Sequence, residues 1–139
     1  MVHVNYLAVL SCAVLSMVIG GIWYGPLFGR TWSKLFGVDP DNLEEIKKMQ
    51  KEAGPMYIVQ FFLTLFQAYV LAWYISSIPS ISAFSNALWI WGAFIIPIVA
   101  GGAMWNNDPR KIKMTKFLIQ AGYQLVLFVV FGIVLGMWK

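Results

Sequence analysis

Charge is what this chain most lacks. Asp, Glu, Lys and Arg make up 12% of its 139 residues, against roughly 25% in a soluble domain. A chain this short has too much surface to hide its 60% of hydrophobic residues from water. A water-facing globule is therefore excluded, and lipid as the solvent removes the conflict. Cysteine is nearly absent as well: Cys12 stands alone inside an apolar run, so no intramolecular disulfide can form. His3 is the one histidine and has no His, Cys or carboxylate at ligand spacing, which argues against a metal site within one chain. There is no phosphate-cradling glycine loop, and the apolar runs offer a serine no base. No cofactor and no enzymatic activity are expected. The carboxylate clusters Asp39/Asp41 and Glu44/Glu45 are explained by electrostatics at a helix start.

What is there is four long apolar runs, Asn5–Tyr24, Pro55–Ile78, Phe84–Trp105 and Phe117–Trp138, none with an Asp, Glu, Lys or Arg. Each meets the length of about 20 apolar residues that a membrane-crossing helix needs. The expected fold is all-α: one domain, an integral membrane four-helix bundle covering residues 1–139. The first run has no Lys or Arg before it and no small-x-small site after it, so it is not expected to be a cleaved signal.

Orientation follows from the ten basic residues. Arg30, Lys34, Lys47, Lys48 and Lys51 lie between runs one and two; Arg110, Lys111, Lys113 and Lys116 lie between runs three and four; only Lys139 lies elsewhere. Nine of the ten thus fall on one face, which the positive-inside rule makes cytoplasmic. Both termini then face the non-cytoplasmic side. Trp23, Tyr24, Tyr57 and Trp105 fall at the cytoplasmic ends of the runs and Tyr6, Trp73, Tyr74 and Trp138 at the outer ends, the levels at which amphipathic rings prefer to sit. The net charge of +4 fits orientation and anionic lipid better than nucleic acid, which is set aside.

The cytoplasmic segment 39–54 reads as a short amphipathic helix with Asp39 as N-cap and Pro40 at the first position. Leu43, Ile46, Met49 and Ala53 form a thin apolar stripe on it. A solvated connector is the preferred reading and a helix lying on the lipid surface the alternative, because the stripe has no aromatic residue. Helix four is expected to begin early, capped at Asn107-Asp108-Pro109, which would put Arg110, Lys111, Lys113 and Lys116 among lipid headgroups.

Neutral polar residues supply the candidate contacts. Tyr57, Gln60, Thr64 and Gln67 share one face of helix two, and Gln120, Tyr123 and Gln124 one face of helix four. Packing of the bundle through interhelical hydrogen bonds is the preferred reading; a path or pocket for a solute is the other. The absence of an ionisable residue within the runs argues against a proton-coupled pump. Small-residue stripes recur at Ala8, Cys12, Ser16 and Gly20, at Gly92 and Ala100-Gly101-Gly102, and at Gly132 and Gly136. They could serve contacts within one chain or between copies. Pro97 should kink helix three.

Trp23-Tyr24-Gly25-Pro26-Leu27-Phe28-Gly29, with Trp32 after it, Asn5 to Val9 before it, and Gly122 to Val126 and Gly132 to Trp138 near the end, resembles an uncharacterised family of small bacterial membrane proteins known only as a domain of unknown function. The resemblance spans nearly the whole chain. It implies four transmembrane helices and a multi-pass place in the bacterial inner membrane, and brings no established activity. It also implies a histidine more often where Gln124 stands here. By itself the motif reads as a helix exit: Trp23 and Tyr24 anchor the interface, Gly25 and Pro26 break the helix, Gly29 permits a tight turn, and Phe28 and Trp32 fold back toward the bilayer. A ligand pocket built from the same aromatics is the other reading.

The expected function is a small homo-oligomeric bundle, in contact with membrane lipids, that binds or passes a small neutral or lipid-like molecule. The alternative is an accessory or assembly subunit of a larger membrane complex. A third reading is a membrane enzyme acting on lipid or quinone through the aromatic motif.

Overall fold

A computed structural model describes residues 1–138 and is all-helical, with no strand among them. Helix α1 (Tyr6–Ile22) starts where the Asn5 side chain accepts from the amides of Leu7 (3.0 Å) and Ala8 (3.2 Å). Its last turn widens into a π-helical turn, Trp23–Leu27. A short α2 (Gly29–Leu35) and the connecting α3 (Leu43–Glu52) follow. Helix α4 (Gly54–Ser77) is the second long helix. The third is built from α5 (Ala83–Ile90), a second π-helical turn (Trp91–Ile95) and α6 (Ile96–Met104). Helix α7 (Arg110–Met137) closes the chain. The segments Tyr6–Leu27, Gly54–Ser77, Ala83–Met104 and Arg110–Met137 are each long and apolar enough to cross a membrane.

Both π-helical turns have a proline as their cause. Pro26 and Pro97 have no N–H, and each ring would strike the carbonyl four residues earlier. The backbone gains a residue in the turn instead: the Phe28 amide donates to the Trp23 carbonyl at 2.9 Å, and the Ile96 amide reaches back to Trp91. The expected break after Tyr24 is thus a bulge that carries the helix on to Leu27. The chain then turns tightly at Gly29, where a Cβ would sit 2.7 Å from the Tyr24 carbonyl oxygen. Gly37, with φ of +74°, takes the left-handed conformation in the loop after α2.

Helix α7 is the centre of the arrangement. It packs against α1 on one side and against α5 and α6 on the other; α4 lies mainly against α1. Gly132 and Gly136 let α7 approach α5 closely. A Cβ on Gly132 would meet the Phe84 Cα at 3.0 Å and the Ala87 Cβ at 3.1 Å; one on Gly136 would meet the Ala83 Cβ at 3.1 Å. The small face of α1 is also used inside the chain, since Ala8, Cys12 and Ser16 are buried. Only the stripe at Gly92, Gly101 and Gly102 is left open, with nothing within 4 Å of an added Cβ.

Packing is uneven along the bundle axis. The first and last described residues lie at one end, where the Asn5 side chain donates to the Trp138 carbonyl (3.2 Å) and Ser76 to the His3 carbonyl (2.9 Å). The core fills that half: Ala8, Val9 and Cys12 of α1, Ala68, Leu71, Ala72 and Ile75 of α4, Ala83 and Ala87 of α5, and Leu127, Phe128, Phe131 and Leu135 of α7. The other half, toward the basic connections, is looser. On α4, Met56 to Gln60 are all exposed, and α6 buries only Ala103.

Two local expectations change. Helix α3 is capped by Asn42, not Asp39: Asn42 Oδ1 accepts from the Glu45 amide at 3.2 Å. Asp39 instead accepts from the Asp41 amide at 2.9 Å, forming the turn before the cap. Helix α7 begins at Arg110, directly after Pro109, while the Asn106 side chain closes the preceding turn on the Asp108 amide at 3.0 Å.

The glycine contacts yield a paired expectation. Gly132→Ala should destabilise the protein by about 1–3 kcal/mol, because the methyl enters a filled space. Gly101→Ala, facing open space, should leave stability unchanged or raise it by about 0.5–1 kcal/mol through helix propensity. Thermal unfolding of the two variants in the same detergent compares them directly.

Candidate functional site

The residues that could carry function gather where the two π-helical turns meet α7. Trp23, at the head of the first turn, donates its indole N–H to the Ile119 carbonyl at 3.0 Å. Trp91, at the head of the second, donates to the Ala121 carbonyl at 3.2 Å. Carbonyls two residues apart lie about 200° apart around the helix axis, so the two indoles hold α7 from opposite sides. Both bonds are partly shielded from solvent, and each contributes about 0.5–1.5 kcal/mol.

Small residues make room for these rings. A Cβ on Gly122 would lie 3.2 Å from Cζ2 of Trp23, and one on Gly20 would lie 3.0 Å from the Tyr123 hydroxyl. That hydroxyl donates to the Ser16 carbonyl at 3.1 Å, tying α7 to α1. Aromatic contacts then run outward in a chain. Trp23 meets Phe28 at 4.8 Å between centroids, Tyr123 meets Tyr24 at 5.3 Å, Tyr24 meets Trp32 at 5.0 Å, and Trp32 meets Phe36 at 4.9 Å. Trp23 and Tyr24, expected at the lipid headgroups, turn inward. Phe28 and Trp32 fold back onto Trp23 and Tyr24. Gly25 and Pro26 stay exposed on the outside of the turn. Tyr57 and Trp105 are exposed, as residues at an interface would be.

The basic residues near α7 divide. Lys116 is largely buried, paired with Asp108 at 2.7 Å and lying 4.4 Å from the Phe36 ring centroid. Lys113 donates to the Met104 carbonyl at 2.8 Å and closes the α6–α7 connection. Arg110 and Lys111 are exposed at the start of α7.

The polar side chains divide too. Gln120 and Gln124 share the side of α7 that continues, at helical spacing, into buried Leu127 and Phe131. The Gln124 side-chain oxygen is shut off from solvent and accepts no hydrogen bond. On α4 the buried stripe Thr64, Ala68, Leu71, Ala72 and Ile75 runs back toward Gln60 and Tyr57, which are exposed; Gln67 is half-buried. Gln60 donates to Thr64 at 3.1 Å. Among the described residues no hydrogen bond joins the α4 set to the α7 set. Two apolar grooves lie elsewhere, along α1. One of about 560 Å³ is lined by Leu10, Val14, Val134 and Trp138, the other of about 460 Å³ by Tyr6, Leu10, Phe66 and Tyr69. Neither includes an amide side chain.

Chemically the site can stack, accept and donate hydrogen bonds, and exclude water. Among the described residues no group of His, Cys, Asp or Glu is placed to hold a metal. Trp91 was not among the expected residues. Its signal was present in the sequence: an indole six residues before Pro97, where the kink had to be accommodated.

Trp23→Phe and Trp91→Phe should each lower stability by about 0.5–1.5 kcal/mol through loss of one hydrogen bond. The double variant should show the sum within about 0.5 kcal/mol, since the indoles bond different carbonyls from opposite sides. Thermal or denaturant unfolding in detergent measures all three.

A family profile described as a protein of unknown function, DUF1761, matches residues 7–136. No curated protein and no solved structure matches the chain. The match takes in all four long helices and both π-helical turns, and the chain belongs to the DUF1761 family.

Proposed function

We propose that this is a multi-pass protein of the bacterial inner membrane, with both termini on the non-cytoplasmic side, that binds a small neutral or lipid-like molecule between α4 and α7. The observation that carries the reading is the Gln124 oxygen, buried without a donor. A buried polar atom left unpaired costs about 1–3 kcal/mol, and such an orphan calls for an explanation. A ligand with a hydroxyl or N–H donor supplies one. The loose half of the bundle gives such a ligand a way in, because Met56 to Gln60 of α4 are exposed and Gln67 and Gln120 are only half-buried, with Thr64 buried below Gln60. An apolar body on the ligand suits the surroundings; a charge does not, as no opposite charge stands among these residues.

The orientation rests on the basic residues. Arg30, Lys34, Lys47, Lys48, Lys51, Arg110, Lys111, Lys113 and Lys116 all belong to connections at the end remote from Asn5 and Trp138. The exposed Arg110 and Lys111 are the ones free to meet anionic headgroups.

A second reading, assembly with copies or as an accessory subunit of a larger complex, is favoured by one observation: the flat side of α6 at Gly101 and Gly102 is uncovered. Native mass measurement from lipid nanodiscs separates the readings. A ligand-binding chain should carry a small bound mass that Gln124→Leu removes. The same substitution should raise the melting temperature of the empty protein, because the orphaned oxygen is gone. An added mass that persists in Gln124→Leu, or an empty wild-type chain, would contradict the ligand reading; a foreign polypeptide would support the second.

A further inference from the structure

Helix α3 has a face that nothing in the chain covers. Leu43 is 64% exposed and Met49 46% exposed, with Ile46 half-buried between them. At spacings of three these side chains form one stripe, with the charged residues on the flanks and opposite side. A helix of this kind standing free in water would gain nothing from the stripe.

The position of α3 is set at both ends. Before its start, Asp41 pairs with Arg30 at 3.1 Å. Arg30 is the second residue of α2, which begins two residues after the first span ends at Leu27. Two residues after its end, Gly54 opens α4, where the second span begins. The α4 side chains that follow, Met56, Ile58 and Val59, are apolar and exposed, as suits hydrocarbon one turn further on. Spans one and two belong to α1 and α4, which are packed neighbours. A helix of 10 residues is about 15 Å long and here bridges two points at the same membrane level. A path along the surface joins both ends without carrying either away from the membrane.

We propose that α3 lies flat in the headgroup layer at the basic end, with Leu43, Ile46 and Met49 dipping into the acyl boundary of the bilayer. Its charges balance, Glu44, Glu45 and Glu52 against Lys47, Lys48 and Lys51. The attachment is therefore apolar, with anionic lipid not required. Lys47 stands beside the stripe on one flank and can extend to the headgroups. The helix then holds the entrance of α4 at a fixed depth.

Spin-label accessibility tests it on the full chain in vesicles, with Cys12→Ala removing the one native thiol. Nitroxides are placed singly at Met49→Cys and Lys48→Cys, with Leu43→Cys as a second stripe position should Met49→Cys fail to fold. Labels at 49 and 43 should collide more often with oxygen, which concentrates in lipid, than with a water-soluble nickel chelate. The label at 48 should show the reverse. The ordering should be the same in phosphatidylcholine alone and with phosphatidylglycerol added. Equal chelate access at both faces would overturn the proposal, as would an ordering seen only with anionic lipid. A stripe label shielded from both quenchers would overturn it too, by placing another protein there.

Discussion

Everything in this bundle depends on how closely other helices can approach α7. In lipid no hydrophobic force drives helices together, so contact distance and interhelical hydrogen bonds must hold them. Gly132 and Gly136 bring α5 to within van der Waals distance of the α7 backbone. Gly122 does the same for the Trp23 ring, and Gly20 on α1 receives the Tyr123 hydroxyl. The two indole bonds, to the carbonyls of Ile119 and Ala121, then fix α7 from both sides. Each proline-induced π-helical turn puts a tryptophan at its head, so one backbone irregularity serves both the passage of the proline and the grip on α7.

A consequence is a bundle with two different halves. Toward the termini, alanine, leucine and phenylalanine fill the space between helices. Toward the basic connections, aromatic rings and amides replace them, and α4 parts company with its neighbours. Sequestering Gln124 Oε1 without a donor in that half is a local cost that a closely packed apolar core would not carry. Sites that bind small molecules are commonly placed where packing stops and a few polar groups converge. The same end of the molecule carries the exposed Arg110 and Lys111 and the uncovered stripe of α3.

The fold was largely legible in the sequence because its strongest signal, long runs without charge, depends only on composition and length. The four long apolar helices follow from it; the helical segment between the first two and the early start of the last one were read from cap and proline signals instead. Residue roles were less legible. Trp23 and Tyr24 sit at the depth expected of interfacial rings, and depth alone does not say whether a ring faces lipid or a neighbouring helix. Periodicity grouped Gln60 with Thr64 and Gln120 with Gln124, but whether two polar faces meet depends on helix order around the bundle, which no one helix records. Asp39 looked like a cap and Asn42 was the cap, since both residue types serve and only the chain path chooses. The glycine steps were visible; that those of α1 and α7 serve the inside of one chain was not.

Disulfide formation decides whether the glycine steps of α7 face a helix of the same chain. An added Cβ at Gly136 lies 3.1 Å from that of Ala83, so Ala83→Cys and Gly136→Cys, in a chain with Cys12→Ala, should reach bonding distance after a few tenths of an ångström of relaxation. Oxidation of the membrane-embedded protein should yield a crosslink within one chain, seen as a faster-migrating monomer on a non-reducing gel. A crosslinked dimer would instead put this face of α7 between chains, and two thiols that remain free would separate α5 from α7.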